Sequence, residues 1–261
     1  MQVIERRRRI LDAVLHRGMI SLREAAELAG TSEVTARRDI RLLAESGMLR
    51  RTHGGAACLS ASATREPSYQ EKTGQASAEK AQIALAAAAL VGDDDAVAIG
   101  PGTTTLALAR LLVDRRGLTV VTSSLLVCDA LLEAPEVQVL LSGGSLRGST
   151  HALVGPLAEQ SLAGLHVRTL FVSGNGLSAG RGLSTPDVLT AAVDRRLAAT
   201  AGTIVVLVDH TKVGVEAMSQ TVPTAAIDRL ITDDRADPEE LRRLEAAGVA
   251  VTVCPVVRSP G

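Results

Sequence analysis

Gly30-Thr31-Ser32-Glu33-Val34-Thr35-Ala36-Arg37-Arg38-Asp39-Ile40-Arg41-Leu42-Leu43 reads as a tight turn opening an amphipathic helix, and it decides how the first 57 residues are arranged. Gly30 and Thr31 supply the turn, and the Ser32 hydroxyl suits a helix start, where it satisfies an exposed backbone amide. At about 100° per residue, Ala36, Ile40 and Leu43 fall within about 60° of one another and predict an inward face. Arg38 and Arg41 then project from the opposite side, with Arg37 and Thr35 flanking them.

Upstream, Ser21-Leu22-Arg23-Glu24 has the form of a capping box and predicts a helix over Leu22 to Ala29. Ile10, Leu11, Val14 and Leu15 recur at helical spacing before that, with Gly18 as the stop. Two short helices joined by so few residues make a helix-turn-helix. Downstream of Gly47, the run Met48-Leu49-Arg50-Arg51-Thr52-His53-Gly54-Gly55-Ala56 predicts a strand, a glycine turn and a return strand, which is a wing. The expected duplex-contacting residues are Ser32, Thr35, Arg37, Arg38 and Arg41 on the helix, and Arg50, Arg51, His53 and Gly54 on the wing. Arginine suits the task because its planar fork matches phosphate oxygens and the guanine edge. A merely solvated charged face is the competing reading, and the agreement of turn, cap, apolar face and wing argues against it.

Charge supports the same division. Residues 1–57 carry 11 arginines and no lysine against 7 acidic side chains, a net of +4, while the remainder carries 17 bases against 22 acids, a net of −5. A basic module of this size is expected to meet a polyanion. Tyr69 and Phe171 are the only aromatics in 261 residues, so the base-stacking platforms of single-strand and RNA readers are missing. Cys58, Cys128 and Cys254 lack the paired spacing of a metal site and the even count of a disulfide scaffold, so no metal or cofactor is expected from them. Asp12, His16 and Arg17 interrupt the only run resembling a leader, and no segment reads as a membrane span. A cytoplasmic protein without a membrane partner is expected.

The small polar run Leu59 to Thr64 and Pro67 place a linker over residues 58–76, so an α/β domain is expected over 77–261. There, helical stretches alternate with strand-like runs at Ala96 to Ile99, Leu118 to Thr122, Val137 to Leu141, Thr169 to Val172, Ile204 to Val208 and Leu230 to Thr232. The alternation predicts a mostly parallel sheet covered by helices, with ligands at the carboxyl ends of its strands. Small and polar residues follow those strands: Gly102, Thr103, Thr104 and Thr105, then Ser123 and Ser124, then Gly143, Gly144 and Arg147, then Gly174 and Gly176, and finally Asp209 and Lys212. Any one such loop is ordinarily a turn. Their convergence on one sheet edge makes them the candidate effector site, with the threonines receiving a phosphate, Arg147 and Lys212 supplying positive charge, and Asp209 accepting from a hydroxyl.

Ser32 to Ile40 and Gly47 to Ala56 together resemble the DNA-binding signature of the DeoR family of repressors. Gly102-Thr103-Thr104, Val121-Thr122-Ser123-Ser124, Ser142-Gly143-Gly144 and Asp209-His210-Thr211-Lys212 extend the resemblance over about residues 3–253. The resemblance implies a sensor domain similar to ribose-5-phosphate isomerase, a sugar phosphate or related metabolite as effector, and a repressor acting on double-stranded DNA. Three positions depart from the family's pattern: Gly100 and Arg168 stand where Asp is usual, and Thr190 where Glu is usual. Fewer carboxylates imply an effector that is more anionic or less hydroxylated, or a degenerate pocket. A symmetric dimer or tetramer is expected, because helix-turn-helix proteins usually read paired half-sites. Two other classes compete: a sugar-phosphate isomerase with a DNA-binding tail, for which Asp209 is the one obvious base, and an architectural DNA-binding protein with no ligand.

Overall fold

The computed structural model describes residues 3–17, 19–45, 49–52, 54–58 and 68–256. Gly18, Gly47, Met48, His53, the run 59–64 and Pro67, all used in reading the sequence, lie outside the described residues, as do the side chains of Leu15, His16, Arg17, Arg50 and Cys58. The chain divides into two compact units, Met1–Arg65 and Glu66–Gly261.

In the first unit three helices, α1 (Val3–Arg17), α2 (Leu22–Leu28) and α3 (Glu33–Glu45), pack with strands β1 (Met19–Ser21), β2 (Leu49–Thr52) and β3 (Gly55–Cys58). The capping box opens α2: Glu24 N donates to Ser21 Oγ, and the Glu24 carboxylate accepts from Ser21 N. Gly30 turns the chain at φ 55°, a left-handed conformation that suits glycine. Ile10 and Val14 of α1, Ala25 and Ala26 of α2, and Ala36, Ile40 and Leu43 of α3 share one buried cluster with Ile20, Leu49 and Ala56. Strand β1 was not expected. It makes the wing hairpin a three-stranded antiparallel sheet of order β1-β3-β2, with Ser21 opposite Gly55. A Cβ on Gly55 would lie 2.0 Å from the Ile20 carbonyl oxygen, so only glycine permits that crossing.

The second unit is built on seven strands, all parallel: β4 (Ala96–Ile99), β5 (Leu118–Thr122), β6 (Val137–Leu141), β9 (Val167–Val172), β12 (Ala201–Leu207), β14 (Arg229–Asp233) and β15 (Ala250–Cys254). Their order is β15-β14-β12-β9-β4-β5-β6. Each strand sends alternate side chains to opposite faces. Val97, Ile99, Phe171, Val205 and Leu207 join a core with α5 (Ser77–Ala88), α6 (Thr103–Arg110) and α7 (Leu125–Leu131). Ala98, Leu170, Val172, Ile204 and Val206 join the opposite core with α8 (Pro156–Ser161), α9 (Val188–Thr200) and α10 (Pro238–Ala246). A short hairpin, β7 (Ser145–Arg147) with β8 (Ala152–Val154), and a small antiparallel sheet of β10 (Gly176–Ser178), β11 (Gly182–Thr185) and β13 (Ser219–Val222) complete the unit.

Residues 68–76, expected within the linker, instead begin the second unit. Helix α4 (Tyr69–Thr73) carries its own capping box from Ser68 and Glu71, and the Tyr69 amide donates to the Ser149 carbonyl at 2.8 Å. Six of the seven parallel strands match the expected runs, and β15 completes the sheet.

Candidate functional site

In the first unit α3 carries the candidate duplex-reading surface. Ala36, Ile40 and Leu43 are buried, Thr35 is half-buried, and Arg37, Arg38 and Arg41 are exposed. Ser32 acts as the start signal: its Oγ accepts from Thr35 N at 3.3 Å and lies 3.1 Å from Thr35 Oγ1. Asp39, 2% exposed on the inner side of the helix, accepts from Arg6 Nε at 2.5 Å and Arg7 Nε at 2.9 Å. Burial alone would raise the Asp39 carboxyl, but the two guanidinium groups outweigh it and hold the carboxyl below the usual carboxylate range. Two positive charges of α1 are thereby fixed on the back of α3, and the helix is pinned in angle. Arg37 and Arg51 line one open surface notch with Leu22, Ile40, Thr52 and Gly55, so helix and wing present guanidinium groups to the same hollow. Gly54 is exposed at the hairpin tip.

In the second unit the chain runs β4-β5-β6 away from one side of β4 and returns on the other side as β9. The sheet's switch point therefore lies between β4 and β9, the place where open α/β sheets bind ligands. Both flanking loops, Pro101 to Thr104 after β4 and Ser173 to Asn175 after β9, line a cleft of about 640 Å³ including its open mouth. Gly102 caps α6 without a side-chain hydrogen bond, leaving the start of that helix open to an incoming anion. A Cβ on Gly102 would meet Thr105 Oγ1 at 3.0 Å and Ser173 Cβ at 3.2 Å, so glycine lets the two loops meet.

Lys72, Lys80 and Lys212 all line this cleft, and they are the only lysines in the chain. Lys80, 7% exposed, donates from Nζ to the carbonyls of Lys72 at 2.5 Å and Gln75 at 2.6 Å, which ties the turn between α4 and α5 to the cleft wall. Burial pulls its ammonium below the ordinary lysine range; Asp209 opposes the pull and Lys212 adds to it. Asp209, 2% exposed, accepts from Thr211 N at 3.0 Å and from the Thr211 hydroxyl, which in turn accepts from Lys212 Nζ at 2.8 Å. Burial would raise the Asp209 carboxyl, yet Lys212, the Thr211 hydroxyl and Lys80 together keep it below the usual range. Thr150 Oγ1 faces burial with no hydrogen-bond partner among the described residues, on a residue that lines the same cleft. An unsatisfied hydroxyl in a cationic cleft suits an oxygen-rich anionic ligand.

Of the effector residues expected from sequence, Gly102, Thr103, Thr104, Gly174, Asp209 and Lys212 meet in this cleft. The others lie outside its lining. Thr105 Oγ1 donates to the Gly102 carbonyl at 3.1 Å. Ser123 is buried, and Ser124 caps α7 by accepting from Val127 N at 3.2 Å. Gly143 and Gly144 form the turn before β7, where a Cβ on Gly144 would lie 2.7 Å from the Val154 carbonyl oxygen. Arg147 Nη1 pairs with Asp187 at 2.8 Å. Gly176 faces the Val215 carbonyl oxygen at 2.4 Å from where a Cβ would stand.

The three departures from the family's pattern also separate. Arg168 stands at the amino end of β9, where it pairs with Asp95 and donates to the Leu90 carbonyl, at the opposite end of the strand from the cleft loop. Gly100 packs at the end of β4 beside Val172. Thr190 does line the cleft, with its hydroxyl donating to Asp187 at 2.8 Å. Sequence reading missed Tyr69, Lys72, Lys80, Thr150, Ser173, Thr185 and Asp194 among the lining residues. One signal was present: a chain with 28 basic residues and only three lysines invites the question of where those three go.

Known proteins match both units. The model of the DeoR-like helix-turn-helix domain matches residues 6–62, and that of the DeoR C terminal sensor domain matches residues 75–234. A protein of Escherichia coli O157:H7 named for transcriptional repression of the aga operon is 34% identical over 95% of this chain and 92% of its own length. The HTH-type transcriptional regulator UlaR of Shigella flexneri serotype 5b is 33% identical over 96% of this chain and 99% of its own. Among solved structures, ribose 5-phosphate isomerase A from Methanocaldococcus jannaschii overlays 51% of this chain and 52% of its own, with a TM-score of 0.39 and 18% identity.

Proposed function

The chain belongs to the DeoR family of transcriptional regulators, and from that premise we propose that it is a repressor whose cleft takes a small phosphorylated metabolite, a sugar phosphate or close relative, and thereby controls its hold on operator DNA. Its relatives are named as transcriptional regulators rather than enzymes, and the isomerase alternative is set aside on that ground.

The single observation that carries the effector reading is the gathering of every lysine in the chain around the open start of α6 at the sheet's switch point. Three lysines against two acids, Asp194 and Asp209, among the lining residues favour a ligand with at least one full negative charge. The carboxylates and the threonine hydroxyls then suit the hydroxyl groups of such a ligand. Control follows if the metabolite binds one arrangement of the protein more tightly than another and the arms of an oligomer are spaced differently in the two. A dimer or tetramer is part of this reading, and light scattering on the purified protein checks it.

Thermal melting of the full-length chain against a panel of sugar phosphates, the matching free sugars and inorganic phosphate tests the proposal. A true effector at 100 times its Kd should stabilise the sensor unit by about 2.7 kcal/mol and change the affinity for operator DNA, whereas the free sugars should do neither. Should no phosphorylated compound raise the melting temperature while DNA binding persists, the chain is architectural and the effector reading falls.

A further inference from the structure

Val34 is 78% exposed, the most exposed large apolar side chain among the described residues, and it sits in the first turn of α3. A lone exposed apolar residue ordinarily needs no explanation. Its neighbours here give it one. Positions 34, 37, 38 and 41 follow the spacing that aligns side chains on one helix face, so Val34 heads the stripe occupied by Arg37, Arg38 and Arg41. The opposite face, Ala36, Ile40 and Leu43, is already buried, so Val34 has no share in the core of its own unit. A β-branched residue on a solvated helix surface also gives up helix propensity relative to alanine or a straight-chain polar residue. Local stability therefore gives no reason for valine at this point.

Docking geometry does. In helix-turn-helix proteins the amino-terminal residues of the recognition helix reach the base edges of the major groove. The one apolar feature presented there is the 5-methyl group of thymine. We propose that Val34 is a specificity-determining residue that packs on a thymine methyl in each operator half-site, while the arginines of the same stripe hold phosphates and purine edges. The inference rests on the assignment of α3 as the DNA-reading helix. It divides labour within that helix: charge supplies grip, and one branched aliphatic group supplies discrimination between thymine and cytosine.

The experiment selects duplexes bound by the full-length protein from a random-sequence library and then replaces each thymine of the recovered site with deoxyuridine, which removes the methyl group alone. For the wild type, uracil at one thymine per half-site should weaken binding about fourfold, the worth of one buried aliphatic carbon. Val34→Ala should bind the thymine site correspondingly less well and lose the uracil penalty at that position, whereas Val34→Thr, which keeps a methyl, should retain part of it. Uracil penalties identical in the wild type and Val34→Ala, or none at any thymine, would overturn the role of Val34 and leave DNA binding by α3 intact. Failure to enrich any duplex would instead remove the DNA-reading assignment itself, and this inference with it.

Discussion

The two candidate sites use different cations in different ways. On α3 and the wing every positive charge is an arginine, and Arg37, Arg38, Arg41 and Arg51 stand exposed; in the cleft every positive charge is a lysine, and Lys80 is buried against backbone carbonyls. A guanidinium is weakly hydrated and permanently charged, which suits a surface that must meet phosphate oxygens and base edges across a wide, wet interface. An ammonium is compact and responds to burial, which suits a cleft proposed to hold one anion at short range. The contrast also lies in how each site is assembled. The first needs one helix and one hairpin, whereas the second needs α4, α5, the loops after β4, β9 and β12, the β7–β8 turn, the end of β11 and two residues of α9.

Breaking the frame of one site should leave the other standing. Gly55→Ala drives a Cβ into the Ile20 carbonyl, and a strain of that kind should cost about 3 kcal/mol or more, enough to unfold the N-terminal unit while the sensor unit keeps its own thermal transition. A single cooperative loss of both transitions in calorimetry would show that the two units do not fold independently. Arg38→Ala or Arg41→Ala should weaken operator binding by about 1 to 3 kcal/mol and, where the lost side chain reads a base, relax preference at that base. Operator affinity unchanged in both variants would remove the exposed stripe from the interface.

Asp39 gives a pH-dependent test of the same helix. Its carboxyl is held below the usual range in the folded chain, so its contribution is complete above the unfolded value of about 4 and is lost as pH falls through the folded one. Asp39→Asn should therefore cost about 2 kcal/mol at neutral pH and flatten the acid side of the N-terminal unit's stability profile. An acid limb as steep as in the wild type would mean that other carboxylates account for it. The smallest effect on DNA is expected from the cleft. Lys212→Ala should leave operator affinity within about 0.5 kcal/mol and abolish the response to metabolite, and a response of wild-type size would take Lys212 out of the ligand's reach.

How far the sequence could be read follows from the same contrast. The helix-turn-helix was legible because its signals are local: the Ser21–Glu24 capping box, Gly30, and the spacing of Ala36, Ile40 and Leu43 lie within 23 consecutive residues. Strand β1 escaped notice because Met19–Ser21 is three residues long and is strand only by virtue of Gly55 opposite it. The parallel sheet was legible as six strand-like runs, five of them largely buried and β6 at the sheet edge not, while β7, β8, β10 and β11 were not legible, since each is a short segment whose pairing is set by distant partners. Loops after strands pointed to the edge where the cleft lies, but only some of their members line it. Ser124 and Arg147 look like ligand groups until their partners are seen, Val127 N for the one and Asp187 for the other. Lys72 lies in a stretch whose composition suits a linker, and Lys80 on a helix rather than after a strand, so position relative to the strands singles out neither.

The confinement of lysine to the cleft has a practical corollary for anyone handling the protein. Among side chains, succinimidyl esters, aldehydes and other amine-directed reagents have only the cleft lysines to attack, the half-buried Lys72 and Lys212 more readily than the buried Lys80. Protein coupled to a biosensor chip through its lysines would still present an unmodified arginine surface to DNA, yet would be blind to its proposed metabolite. Attachment through an affinity tag keeps both properties, and comparing the two preparations separates DNA recognition from metabolite sensing without a single mutation.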